Sequence, residues 1–317
     1  MQVEPASVAC HSRVIAPVGQ TRDSDRCRRF RLCHVYTGVW TIHSGFAQRT
    51  YNMRNSFILG SMLTAAIGNA AASAEVIYNS IPSTLAASYP SQPFQAQQTV
   101  EFGDRVALGG SARQLTSATM TMVNWARYED YNVGGEYYDA GQYAGNGFTH
   151  SFTLNFYESG TGYTHGATIA SVTANKFIEY RPTGWSANGF AQNITFDLTG
   201  LGITLPESIV WGLAFSTQSY GPNATGVNGP YNSLNMGCNT AADGGVTVGA
   251  TDLDTVFWNT STAAWYADGG TNGSGIFRMD TGWTGYNPMA SFSAVPAPGA
   301  LALLGIAGFA GSRRRRA

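Results

Sequence analysis

Short runs in which apolar and polar side chains alternate fill the middle of this 317-residue chain. Three runs are the clearest, with apolar faces formed by Phe152, Leu154 and Phe156, by Ile194, Phe196 and Leu198, and by Ile209, Trp211, Leu213 and Phe215. Successive side chains of a strand point to opposite sides, so a period of two places each set on one face of a sheet. We therefore predict strands with one buried face at these places.

Other stretches complete the same picture. The long alternation from Leu115 to Trp125 predicts another strand, and the β-branched content of residues 168–180 favours strand over helix there. The pair Gly103 and Asp104 predicts a tight turn between two short strands. No stripe of helical period stands out between residues 75 and 293. About ten short strands joined by glycine-rich turns predict an all-β antiparallel β-sandwich or jelly-roll-like domain over 75–293.

The pattern changes after residue 293. A proline hinge, an uncharged apolar run over 300–310 and an arginine cluster follow in that order: Val295, Pro296, Ala297 and Pro298, then Arg313, Arg314, Arg315 and Arg316. As a helix, the uncharged residues 294–311 would span about 27 Å, close to a bilayer core of about 30 Å. We expect a transmembrane helix with a cytoplasmic arginine end. A buried core helix, which should be amphipathic, and a basic nucleic-acid-binding tail are the alternatives.

This order of features resembles the PEP-CTERM sorting signal of bacterial envelope proteins, with alanine at 297 where the family usually has glutamate. The resemblance implies export, transient anchoring in the inner membrane and processing by an exosortase-type protease. Phrases in the middle of the chain are also similar to exported PEP-CTERM proteins of unassigned function; they lie at 194–200, 203–207, 220–223, 229–235 and 256–259. The resemblance implies no catalytic residue.

A signal peptide is expected in front of such a protein, and an internal stretch has the right composition. Met53 and Arg54 give a short positive region, residues 57–67 an apolar region, and Ala72 and Ala74 a small-residue cleavage site before Glu75. We predict a signal peptide over 53–74. Residues 1–52 are then predicted to be upstream sequence included through a wrong start, and disordered. A genuine long leader and a small Cys/His metal module are the alternatives.

Charge excludes one class of partner. The whole chain has a net charge of −1, but residues 75–312 hold six basic and 16 acidic side chains, a net charge of −10. An acidic, lysine-poor domain does not bind nucleic acid through phosphate contacts. Acidic charge suits solubility and divalent cations instead.

An insertion over 127–147 is the most prominent candidate binding surface. It combines tyrosines with acids: Tyr128, Tyr131, Tyr137, Tyr138 and Tyr143 with Glu129, Asp130, Glu136 and Asp139. Flat aromatic faces beside acids suit a sugar-binding surface, and two carboxylates at a defined separation would suit a glycosidase. The alternative is a solvated loop whose tyrosines pack on their own scaffold.

Other chemistry-bearing residues are few in the expected mature region. Asp252 and Asp254, with Asp243 upstream, are weak candidates for a structural Ca²⁺ site, although they lack the spacing of an EF-hand loop. The two histidines and Cys238 do not have a recognised zinc spacing, and no nucleophile or phosphate-binding motif is present. We therefore expect no cofactor, with structural Ca²⁺ the exception kept open.

Three hypotheses of function remain open from the sequence. The first is a non-enzymatic protein of the cell surface or extracellular matrix, whose partners are the export machinery, signal peptidase, an exosortase-like protease and the membrane. The second is a carbohydrate-binding module that uses the 127–147 insertion. The third is a glycosidase-like enzyme.

Overall fold

The computed structural model describes residues 73–86 and 89–297. Their fourteen strands are β1 (Glu75–Asn79), β2 (Ser91–Pro93), β3 (Thr99–Ala107), β4 (Gln114–Asn124), β5 (Gly147–Ser159), β6 (His165–Glu179), β7 (Phe190–Asp197), β8 (Ser208–Phe215), β9 (Leu234–Thr240), β10 (Ala250–Thr251), β11 (Thr255–Thr260), β12 (Arg278–Thr281), β13 (Tyr286–Pro288) and β14 (Ala290–Val295). Within these described residues, helical structure is limited to the single-turn α1 (Tyr128–Tyr131) and three 3₁₀ turns, at Pro230–Ser233, Ala241–Asp243 and Ala263–Trp265. The predicted all-β class is confirmed.

The strands form two antiparallel sheets of seven. In sheet A the order is β1-β14-β4-β9-β13, with β7 also paired to β4 and β2 to β9. In sheet B the order is β12-β11-β3-β8-β5-β6, with β10 also paired to β3. Two packed antiparallel sheets are the architecture of a β-sandwich, as the alternating pattern predicts.

The core lies between the sheets, and the predicted apolar faces supply it. Phe292 of β14 in sheet A meets sheet B at Phe156, with ring centroids 5.5 Å apart, and at Trp211, with centroids 5.6 Å apart. All three side chains are at most 1 % exposed. Fully burying a large apolar side chain contributes about 1.5–3 kcal/mol, so these contacts hold the two layers together.

The predicted turn at Gly103 and Asp104 is wrong, because β3 runs without interruption through both residues. Gly103 pairs with Gly212 of β8, and a Cβ added at Gly103 would lie 1.9 Å from the Trp211 carbonyl oxygen. Asp104 is fully buried and accepts hydrogen bonds from Thr251 Oγ1 and from the Arg105 amide, at 2.6 and 2.7 Å. Burial raises the pKa of the Asp104 carboxyl. Glycine serves a close approach of two strands here, not a turn.

Two boundaries at the ends of the domain also differ from prediction. Residues 81–98, whose proline, serine and glutamine content predicts a connection between strands, contain β2, which pairs with β9. Val295, expected in the proline hinge, is the last residue of β14 and pairs with Gln114. Strand β14 therefore includes the first residue of the segment predicted as the hinge.

The predicted signal peptide, apart from Ser73 and Ala74, and the predicted transmembrane run and arginine cluster lie outside the described residues. Within 73–86 and 89–297, no helix has the length and apolar character needed to cross a bilayer.

Candidate functional site

A cleft of about 260 Å³ opens where the two sheets meet, beside β2, β11 and β13. Four aromatic rings line it: the indole rings of Trp258, Trp265 and Trp283 and the phenol ring of Tyr286. The amides of Gln92 and Gln97 add polar groups to the lining. A concave, aromatic surface with a few neutral polar groups is typical of a small-molecule or glycan site.

The aromatic side chains have different roles in this cleft. Trp258 is only 1 % exposed and forms its floor, whereas Trp265 is 43 % and Tyr286 40 % exposed at its rim. Trp283 stands at 89° to Trp258, with ring centroids 5.6 Å apart. The two rim rings therefore offer apolar faces that solvent can reach.

Hydrogen bonds fix both inner indoles. Trp258 Nε1 donates to Thr99 Oγ1 at 2.9 Å, and Trp283 Nε1 donates to Asp280 Oδ2 at 2.8 Å. A buried indole N–H needs such an acceptor. Because both indole N–H groups already have an acceptor, a ligand would contact these two rings through their π faces and C–H edges.

A buried arginine organises the loop over 261–277, between β11 and β12, which carries Trp265 and is called the Trp265 loop below. Arg278 is 1 % exposed and donates from Nη2 to Asp268 Oδ1 and from Nε to the Gly273 carbonyl, each at 2.8 Å. Its guanidinium lies 3.8 Å from the centroid of the Tyr266 ring, next to Trp265 in the chain. The arginine thus ties both sides of the loop to β12.

The carboxylates around Arg278 complete this network. Burial opposes the ionisation of Asp268, but hydrogen bonds from Arg278, Asn272 and the Gly270 amide outweigh it and lower the pKa of Asp268 to about 2. Asp280 is fully buried, lies 4.0 Å from Arg278 Nη1, and accepts from the Ala267 amide as well as from Trp283. One connected network therefore positions the Trp265 loop and the Trp283 ring.

On the opposite side of the cleft, Gln98 has an unusual backbone. Its φ of 57° is left-handed, and it is the only non-glycine residue with positive φ within the part of the chain that the structure describes. Its Oε1 accepts hydrogen bonds from the Ser261 and Thr262 hydroxyls, both at 2.7 Å, at the start of the Trp265 loop. Such strained positions cluster at functional sites. The strained residue directly follows Gln97, whose side chain lines the cleft.

The tyrosine insertion is a less open surface than the sequence predicts. Tyr131 is 4 % exposed, stacked between Tyr137 and Tyr180 with centroids 5.3 and 5.2 Å away. Tyr143 is also buried, and Tyr128 is half-buried. Tyr137 and Tyr138 remain exposed, by 40 % and 36 %, with one face of Tyr137 covered by Tyr131. Most of these tyrosines therefore pack on the scaffold.

The acids of the insertion have separate local partners. Asp130 forms an ion pair with the exposed Arg127, and Asp139 Oδ1 accepts from the Gly141 amide at 3.0 Å. Glu129 and Glu136 are exposed.

Two of the three aspartates considered as metal ligands likewise accept local hydrogen bonds. Asp243 Oδ2 accepts from the amide and the hydroxyl of Thr240, and Asp252 Oδ1 accepts from the Asp254 amide at 3.2 Å. His150 Nε2 contacts the Ser216 carbonyl at 2.7 Å, and burial lowers the pKa of His150. Burial raises the pKa of the Cys238 thiol to about 12. Within 73–86 and 89–297, no three His, Cys, Asp or Glu side chains come together in a group suited to a metal ion.

Sequence reasoning missed the aromatic cleft, although a signal was present. Three of the seven tryptophans of the chain fall between residues 258 and 283 and line it. Their density in a segment rich in glycine and asparagine was the available clue. Comparison of the chain with protein-family models, with curated proteins and with solved structures found no match in any of the three.

Proposed function

We propose that this chain is a non-enzymatic protein exported to the cell surface or extracellular matrix, and that it binds polysaccharide through the aromatic cleft. The observation that carries the proposal is the set of two exposed rings, Trp265 and Tyr286, held at the rim of a cleft floored by Trp258. Sugar rings present flat C–H faces that pack on aromatic rings, and their hydroxyls pair with amides such as Gln97. The cleft replaces the tyrosine insertion as the binding surface we favour.

The composition of the lining favours binding over catalysis. Besides the aromatic and amide side chains, the cleft is lined by Pro90, Ser91, Pro93 and Cys238. Glycoside hydrolysis by the usual route needs two carboxyl groups flanking the bond. The nearest carboxylate in the network, Asp280, is fully buried and already accepts from Trp283. These features support a module that holds a glycan without cleaving it.

Replacing Trp265 by alanine should weaken polysaccharide binding at least tenfold, about 1.4 kcal/mol. The ring is 43 % exposed, so its loss removes a stacking face with little effect on the core. Binding of the full-length chain in detergent can be measured by glycan array and then by titration calorimetry. The matched control is Tyr137→Ala in the insertion, which should leave affinity unchanged. If Tyr137→Ala abolishes binding and Trp265→Ala does not, the insertion is the site; absence of any glycan binding removes the proposal.

The export half of the proposal rests on the sorting-signal resemblance and the candidate signal peptide. One structural feature supports a mature chain that starts at Glu75. This residue is the first of β1, and its carboxylate accepts from the Ser111 and Ala112 amides at 2.9 and 2.7 Å. Cleavage before Glu75 would thus leave the first strand whole. We propose transient inner-membrane anchoring, then release by the exosortase-like protease.

Mass spectrometry of cell-surface and secreted fractions tests this route. The mature protein should start at Glu75 and end near the proline hinge, without Arg313 to Arg316. Each arginine costs about 2.5–3.5 kcal/mol at the membrane centre, so the cluster should stay behind in the cytoplasm. Mature peptides from before Met53, or an abundant surface form that keeps the arginines, would contradict the proposal.

A further inference from the structure

We infer that the aromatic cleft selects neutral sugar chains over acidic ones, and that Gln97 is the residue that recognises their hydroxyl groups. The inference rests on the proposed function and names its ligand class. Two independent features of the site support it: the hydrogen bonding of the four glutamine side chains in the segment 92–98, and the distribution of charge.

Three of the four glutamines in the segment 92–98 have structural roles. Gln92 Nε2 donates to Thr99 Oγ1 at 2.9 Å. Gln95 exchanges hydrogen bonds with Ser219, at 3.2 Å in each direction. Gln98 accepts from the two hydroxyls at the start of the Trp265 loop. These three amides therefore hold the segment against Thr99, against Ser219 and against the start of the Trp265 loop.

Gln97 differs from them. Its side chain is half-buried on the cleft wall, and among the described residues its amide has no hydrogen-bond partner, whereas its backbone carbonyl accepts from Thr260 Oγ1 at 2.8 Å. The backbone is thus fixed while the side-chain amide stays available. An amide supplies one acceptor oxygen and two donor hydrogens, which match a pair of neighbouring sugar hydroxyls. The left-handed backbone of Gln98 directly follows this residue.

Charge decides which sugars fit. Among the described residues, the lining of the cleft carries no charged side chain, and Arg278 behind the Trp265 loop is 1 % exposed and paired with Asp268. Residues 75–312 have a net charge of −10, so the domain repels a polyanion and has no cation in the cleft to compensate. Rejection by uncompensated charge is an established route to specificity. A neutral hexose chain meets no such penalty.

Calorimetric titration of the full-length chain in detergent tests the inference. The neutral probes are maltohexaose, cellohexaose and mannohexaose, and the acidic probe of equal length is hexagalacturonate. Wild type should bind at least one neutral probe, should bind hexagalacturonate at least tenfold more weakly, and should show little dependence of neutral binding on salt. Gln97→Met keeps the length of the side chain without its donors and acceptor, and should weaken neutral binding about tenfold.

A matched control and the possible outcomes keep this inference separate from the proposed function. Gln142→Met, an exposed glutamine of the insertion, should bind as wild type does, and the melting temperature of Gln97→Met should equal that of wild type. Equal affinity for hexagalacturonate, or unchanged binding by Gln97→Met, overturns the inference. If Trp265→Ala still weakens binding at least tenfold in that case, the proposed function stands without this inference. No binding of any probe overturns both.

Discussion

Replacing Arg278 by methionine should lower the free energy of unfolding by about 3–5 kcal/mol, because it removes one partner of a buried ion network. The Arg278 side chain is 1 % exposed; its guanidinium donates to Asp268 and lies 4.0 Å from Asp280. It also donates to the Gly273 and Met279 carbonyls. Without it, the Asp268 carboxylate and two backbone carbonyls lose a donor, and the fully buried Asp280 loses the cation beside it, so that each of these groups adds a desolvation cost.

Urea unfolding followed by tryptophan fluorescence measures this effect. The control is Arg127→Met, which also breaks an arginine–aspartate pair, but one whose arginine side chain is 56 % exposed. Exposed pairs contribute little, so the midpoint of this variant should stay close to that of wild type. Equal midpoints for Arg278→Met and Arg127→Met would refute the role of the network.

Replacing Gly103 by alanine should cost about 3 kcal/mol or more, at or above the upper end of the usual range for overpacking. The added methyl group would lie 1.9 Å from the Trp211 carbonyl oxygen and 2.7 Å from the Gly212 Cα, both backbone atoms of β8. No side-chain rotation can relieve a clash with backbone. The pairing of β3 with β8, near the centre of sheet B, must shift instead.

Gly141→Ala is the control for this substitution. An added Cβ there has its nearest neighbour, Asp139 Oδ1, at 3.5 Å, an ordinary contact distance. Its stability should change by no more than about 0.5 kcal/mol. Thermal unfolding by circular dichroism distinguishes the two variants. A Gly103→Ala protein as stable as Gly141→Ala would show that the two strands do not approach as closely as described.

The sandwich was predictable because period-two alternation is a local signal. Phe152, Leu154 and Phe156 are all fully buried, as their spacing predicts. The turn predicted at Gly103 was wrong because a Gly-Asp pair has the same composition in a turn and in a strand. What decides between them is the backbone of β8, more than a hundred residues away. Local composition contains no information about that approach.

The aromatic cleft was harder to predict for a similar reason. The tyrosines of the insertion are adjacent in sequence and therefore conspicuous, but Tyr131 is buried by Tyr180, fifty residues further along. The cleft, in contrast, forms only when β11 of one sheet and β13 of the other come together around Trp258 and Tyr286. The buried Arg278 then holds the intervening loop. Each of these contacts is a property of the assembled sandwich.

The position of β14 has a mechanical consequence. This strand begins two residues after β13, which supplies Tyr286 to the cleft, and ends at Val295, two residues before the last described residue, Ala297. Between these points it is hydrogen-bonded to β1 on one side and β4 on the other. Antiparallel hydrogen bonds run perpendicular to the strands, so tension between Ala297 and a glycan held in the cleft would act along the strand. The hydrogen bonds of both ladders would then be loaded together in shear, instead of breaking one after another from one end.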